Sequence, residues 1–161
     1  LKINSNLAKN KKSVMELFTD AYFMNEALKE AQKAYDADEV PVGAVIVHDQ
    51  KIIARAHNLT ERLNDVTAHA EMQAITSAAN HIGGKYLTEC VLYVTLEPCP
   101  MCAGALGWSQ ISKVVYGATD DKKGFSKIDH QLLHPKTRLF NGVLQEPCSD
   151  LLKKFFKERR K

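Results

Sequence analysis

The stretch Leu96-Glu97-Pro98-Cys99-Pro100-Met101-Cys102-Ala103-Gly104-Ala105 constrains this chain more than any other. Two cysteines at Cys-x-x-Cys spacing stand between prolines and small residues. The pattern reads as a strand running into a turn, then a helix whose first turn carries both sulfurs. Positions three apart share a helix face, and the positive end of the helix dipole favours thiolate over thiol. Pro100 suits the first helical position, where its φ is preset and its missing N–H is not needed. Alone, the pair also fits a redox couple or half of a zinc ribbon, but the chain has no second Cys-x-x-Cys to close a ribbon.

Two thiolates do not complete a zinc site. The remaining ligand is sought in Thr67-Ala68-His69-Ala70-Glu71, a second expected helix start, with Asp65 or Thr67 capping the run from Met72 to Ala79. His69, Cys99 and Cys102 make a three-ligand set with a fourth position open to water, the catalytic pattern for zinc, whereas a structural site is closed by four protein ligands. Residues two apart are separated by about 200° on an ideal helix, so His69 and Glu71 do not both ligate from a regular helix. Glu71 therefore reads as a proton shuttle.

At 161 residues the chain holds one domain with a real core. No run reaches the length of a membrane span, and residues 1–12 lack the apolar centre of a signal peptide. Four cysteines, two of them claimed by a metal, point to a reducing cytoplasm rather than a disulfide scaffold. Cys90 and Cys148 read as buried small hydrophobes. The net charge of +3 is uneven: residues 1–12 carry +4 and residues 153–161 carry +5, leaving −6 on the body. Basic ends suggest a polyanionic partner, although solubilising tails give the same counts.

Residues 1–12 are expected to be a disordered basic tail ahead of a single domain over 13–161. From Thr19 or Asp20 the spacing of Phe23, Ala27, Leu28, Ala31, Ala34 and Tyr35 predicts a helix ending near Ala37, with an earlier turn around Ser13. Val42–Val47 is nearly all apolar and reads as a central strand, forming a hairpin with Ile52–His57. The segment from Thr60 to Asp65 is a loop, and Gly83-Gly84 suit the stop of the His69 helix, placed before His81. Strands are expected at Val91–Thr95 and Val114–Gly117, joined through the cysteine helix by a parallel crossover. Asp120–Ile128 reads as a surface loop and Asn141–Leu144 as a short edge strand. A last helix from about Ser149 carries Leu151, Leu152, Phe155 and Phe156 on an apolar side. The predicted architecture is a three-layer α/β/α fold with a mixed five-stranded sheet, its site at the strand ends.

His-x-Glu followed by Pro-Cys-x-x-Cys is the signature of the zinc-dependent nucleobase deaminases, and the chain resembles the cytidine-deaminase-like superfamily. Within it the resemblance is to the bacterial tRNA adenosine deaminases, from about Thr19 to Arg160. It is carried by Glu39-Val40-Pro41-Val42-Gly43-Ala44, Thr67-Ala68-His69-Ala70-Glu71, Tyr93-Val94-Thr95-Leu96-Glu97-Pro98-Cys99, Met101-Cys102-Ala103-Gly104-Ala105, Val115-Tyr116-Gly117-Ala118 and Phe155-Phe156 with Arg159-Arg160.

The resemblance implies one zinc per chain on His69, Cys99 and Cys102, with Glu71 as general acid and base. It also implies Asn58 against the target base, and Asp120, Phe156 and Arg159 against RNA. The implied substrate is the wobble adenosine of a tRNA anticodon stem-loop, converted to inosine by a homodimer whose RNA site draws on both subunits. Asn58 also fits a turn after a strand, Phe156 fits a core position, and Arg159 fits a solvated one. The chain departs from the family at Thr119, where an arginine is common, in the lysine-rich Lys122–Lys127 stretch, and in a short segment after His134-Pro135. These departures bear on substrate choice. Two other readings stay open: a deaminase of a free nucleobase or nucleoside, of guanine or cytosine type, and a nucleic-acid-binding module with structural zinc.

Overall fold

The computed structural model describes residues 17–160; the expected tail over 1–12 and the turn near Ser13 lie outside them. Helix α1 (Asp20–Asp36) starts where Thr19 Oγ1 accepts the Tyr22 N–H at 3.2 Å, an N-cap of the usual kind. It buries Phe23, Met24, Ala27, Ala31 and Ala34 at helical spacing. Strands β1 (Gly43–His48) and β2 (Lys51–His57) form the predicted hairpin. Its two-residue turn puts Asp49 and Gln50 at φ 49° and 60°, as a type I′ turn requires.

Helix α2 (Ala70–Ile82) follows, then β3 (Cys90–Leu96), α3 (Pro100–Ser109), β4 (Lys113–Ala118), β5 (Arg138–Phe140) and α4 (Gln145–Arg159). The sheet order is β2-β1-β3-β4-β5. β1 pairs antiparallel with both β2 and β3, while β3, β4 and β5 run parallel. The mixed five-stranded sheet and the parallel crossover through α3 are thus as predicted. One face packs Ala70, Ala74 and Ala78 of α2 and Ala103 and Leu106 of α3 against Ile46, Leu92 and Val114. The other packs Phe23, Met24 and Ala27 of α1 and Cys148 of α4 against Val45, Tyr93 and Val115. Helices therefore cover both faces. At Gly43 a Cβ would lie 2.1 Å from the Ala27 carbonyl oxygen, so only glycine lets α1 lie this close to the sheet.

Several boundaries differ from expectation. The edge strand is Arg138–Phe140, not Asn141–Leu144. Its register is set by the Arg138 N–H donating to the Ser112 carbonyl at 3.0 Å, and the chain then turns through Gly142 at φ 79° and Leu144 at φ 51°. Asn-Gly here is turn chemistry. α4 begins four residues before Ser149, at Gln145, because Pro147 is tolerated within a first helical turn. α2 runs to Ile82 and stops at Gly83 in the left-handed conformation. The 120–128 segment is not wholly on the surface: Phe125 is fully buried in a short 3-10 turn, Phe125–Lys127.

Candidate active site at two helix starts

β1 opens, and β2, β3 and β4 close, at the same end of the sheet, so Val42, Asn58, Leu96 and Ala118 emerge together. Both ligand segments start helices there. His69 is the N-cap of α2 and Cys99 that of α3, each with extended backbone and no side-chain cap hydrogen bond. Asp65 and Thr67 do not cap α2; Asp65 instead accepts the Thr67 N–H at 2.8 Å and its hydroxyl at 2.7 Å. This turn frees the His69 imidazole to face the cysteines.

His69 Nδ1 lies 3.6 Å from Cys99 Sγ and 3.5 Å from Cys102 Sγ, and all three donor atoms fall within 4.8 Å of one another. A tetrahedral zinc with bonds of about 2.3 Å to sulfur and 2.05 Å to nitrogen holds such atoms about 3.6 Å apart. The residues therefore fit the ion. Their electrostatics agree. A hydrogen bond from Cys102, followed by one from His69, holds the Cys99 thiol down at about 4. Cys102 is pushed up by its hydrogen bond with Cys99 and by burial. His69 is raised, chiefly by Cys99. Two sulfurs and an imidazole that share protons at this range form a site where a dication displaces those protons.

Glu71 stands in the first turn of α2 and is only 4% exposed. Burial pushes its carboxyl up to about 7, against the pull of its own backbone N–H. It lines a cavity of about 210 Å³ with Asn58, His69, Cys99 and Asp120. Asn58 is buried, and its Oδ1 faces the Thr60 N–H at 3.4 Å.

The remaining expected residues divide. Asp120 turns its carboxylate to the Lys122 and Lys123 N–H groups, both at 3.0 Å. Phe156 is 44% exposed on α4 and lines a larger adjoining groove of about 980 Å³ with Lys122, Lys123, Lys153, Lys157 and Arg160. The two hollows share Val40, Leu96, Asp120 and Lys123. Arg159 does not join them. It pairs with Asp38 at 2.6 Å, lies over the Phe155 ring, and borders a separate depression.

Two further buried carboxylates, Glu97 on the cavity and Glu39 on the depression beside Arg159, had no role assigned from sequence. Glu39, fully buried, accepts the Glu61 N–H at 3.1 Å and the Arg62 N–H at 2.7 Å. Glu97 holds the 120–126 segment in the same way. The available signal was an acidic residue close before a proline at the edge of an apolar strand, in Glu39-Val40-Pro41 and Leu96-Glu97-Pro98.

Residues 18–118 match the cytidine and deoxycytidylate deaminase zinc-binding region. The tRNA-specific adenosine deaminase of Bacillus subtilis (strain 168) is 47% identical over 147 residues, covering 88% of this chain and 91% of its own length. A structure solved in work on A-to-I editing by tRNA:A34 deaminases at the wobble position superimposes with a TM-score of 0.77 at 41% identity, over 81% of this chain and 99% of that one. The guanine deaminase of Bacillus subtilis aligns with a TM-score of 0.58 at 42% identity, but over 60% of this chain and 62% of its own. With the ligand triad, the buried glutamate and near full-length similarity in hand, the chain belongs to the zinc-binding cytidine and deoxycytidylate deaminase family, in its tRNA-specific adenosine deaminase branch.

Proposed function

We propose that this chain hydrolytically deaminates adenosine to inosine at the wobble position of a tRNA anticodon loop. The observation that carries the reading is the placement of buried Glu71 beside the His69, Cys99 and Cys102 donors, in a small cavity that opens on a basic groove.

His69, Cys99 and Cys102 would hold the zinc. Bound there, zinc supplies Lewis acidity, which brings the pKa of a water from 15.7 to about 7. Glu71 accepts a proton from the attacking water and delivers it to ring N1 of adenine as the oxygen adds to C6. The same carboxylate then takes the remaining proton from the oxygen on C6 and passes it to the exocyclic nitrogen, the C6–N bond breaks, and ammonia leaves as the C6 carbonyl of inosine forms. Water is consumed and no redox partner is needed. Asn58, its Oδ1 turned toward Thr60, offers its amide N–H groups to the base.

A base inside a stack cannot reach so small a cavity, so the target enters from a loop as a flipped nucleotide. Lys122, Lys123, Lys153, Lys157 and Arg160 line the groove where flanking phosphates would run, and Phe156 offers a stacking face. We assign Arg159 to stability rather than to RNA, because Asp38 already occupies its guanidinium. A homodimer accords with the exposed apolar side chains of Met101 and Trp108 on α3, the latter 85% exposed. Thiolate ligands and four free cysteines suit the reducing cytoplasm, and no helix among the described residues is long and apolar enough to cross a membrane.

A second reading, deamination of free guanine, draws on the partial likeness to the guanine deaminase. One experiment decides between them. The zinc-loaded chain is incubated with an anticodon stem-loop bearing a wobble adenosine, and separately with guanine, cytosine, adenosine and cytidine, with inosine and ammonia assayed. Inosine confined to the stem-loop is the expected result, and ammonia from a free base or nucleoside alone would overturn the tRNA assignment.

A further inference from the structure

Glu97 is 2% exposed and makes no ion pair among the described residues. Its Oε2 accepts the Asp120 N–H at 2.9 Å, while Oε1 accepts the Ser126 N–H at 3.2 Å and the Ser126 hydroxyl. The carboxylate thereby gathers both ends of a loop that starts 23 residues further along the chain. The fit is close. At Gly124 a Cβ would lie 2.2 Å from Glu97 Oε2 and 2.6 Å from the Asp120 carbonyl oxygen, so a side chain there would drive carboxylate and loop apart. The Phe125 N–H, donating to the Pro98 carbonyl at 2.9 Å, closes the same seam from the backbone.

The loop so held is a wall of the site. Asp120 and Lys123 line both the small cavity and the basic groove, and Glu97 itself lines the cavity. Glu71 and His69 receive no hydrogen bond from this cluster among those described.

We propose that Glu97 is a positioning residue for substrate binding, which fixes the 120–126 loop as the wall between the cavity and the groove. The proposal rests on the functional reading above for the identity of what binds, and on the geometry alone for the loop. A glutamine has one acceptor oxygen where Glu97 uses two, so in E97Q either the Asp120 or the Ser126 N–H loses its partner.

In the zinc-loaded full chain, E97Q should raise KM for the anticodon stem-loop about tenfold, with kcat within about twofold. Zinc should stay at one per chain. Hydrogen exchange at the Asp120 and Ser126 amides should quicken. G124A, which alters no donor or acceptor, should give the same split by displacing the carboxylate, and with S126A it carries the test if E97Q does not fold. A fall in kcat at unchanged KM, a loss of zinc, or a lowered Tm with unchanged KM and exchange would overturn the proposal. If the wild-type chain deaminates no RNA, the substrate reading fails alone, and the exchange of the loop amides still decides whether Glu97 holds the wall.

Discussion

Glu71 and Glu97 border one cavity and are almost equally buried, at 4% and 2% exposure, yet their surroundings differ in kind. Glu97 is met by two backbone N–H groups and a hydroxyl from the opposite loop. Burial raises the proton affinity of Glu71, and among the described residues its own N–H and the Cys102 sulfur are the hydrogen-bonding groups that act on it. A buried carboxylate surrounded by donors is fixed as an acceptor and serves architecture; one left with few is tuned toward neutral pH and can move a proton. Glu26 adds a third case. It is 7% exposed and met by cations, Lys29 at 2.6 Å and Arg55 at 2.7 Å. The donors, more than the depth, distinguish the three glutamates.

The sharpest test of this contrast is Glu71→Gln, which keeps the shape and removes the titrating group. Turnover should fall by about 10⁴-fold, the upper range for a general acid–base residue, while zinc measured by elemental analysis remains bound. Full activity in that variant would erase the distinction between the two glutamates. Next in size is Cys102→Ser, which removes a fully buried thiol of the proposed zinc site. Zinc content should drop below one per chain, and with it about 4 kcal/mol of stability at zinc levels near 1,000 times Kd, read as a lower Tm.

Glu26 supplies the pH arm. Its hydrogen bond to Lys29, followed by that to Arg55, holds its carboxyl below the ordinary 4.5. A group depressed on folding contributes stability that is present above its unfolded pKa and lost as pH falls through its folded one. The urea midpoint should therefore fall as pH drops below about 4.5, and Glu26→Gln should flatten that dependence. A variant with the wild-type pH profile would show that the cations do not set this site.

Smaller effects belong to the groove. Replacing Lys153 or Lys157 by Ala should weaken stem-loop binding modestly and reduce the salt slope by about one each, for a lost phosphate contact; an unchanged slope would remove these lysines from the RNA path. Arg159→Ala should cost least, under about 1 kcal/mol of stability, because its partner Asp38 is 85% exposed and the pair is screened by water. A loss of RNA affinity beyond the lysine effect would return Arg159 to the binding surface.

The clustering of the candidate site was legible in the sequence because its pieces are local. His69 and Glu71 are two residues apart, Cys99 and Cys102 three, and few side chains hold zinc. The helices were legible through the spacing of residues such as Phe23, Ala27 and Ala31. What escaped depends on partners far along the chain. Glu97 is explained by Asp120 and Ser126, Glu39 by Glu61 and Arg62, and Arg159 by Asp38, 121 residues away. β5 moved toward the N-terminus because Ser112 sets its register. Phe125 escaped because one apolar residue among charges has no period to betray its burial.

The two helix starts carry a further consequence. An N-cap side chain ordinarily closes its helix by accepting a first-turn N–H, and neither His69 nor Cys99 does so. A metal held by His69, Cys99 and Cys102 would exchange two separate end closures for one shared fastening across the gap between α2 and α3. Fraying, which in most helices is a private event at each end, would then be joint: one first turn could not open without releasing the other. Metal removal should therefore be seen by hydrogen exchange as simultaneous loosening of residues 70–73 and 100–103, with the far ends of both helices unaffected.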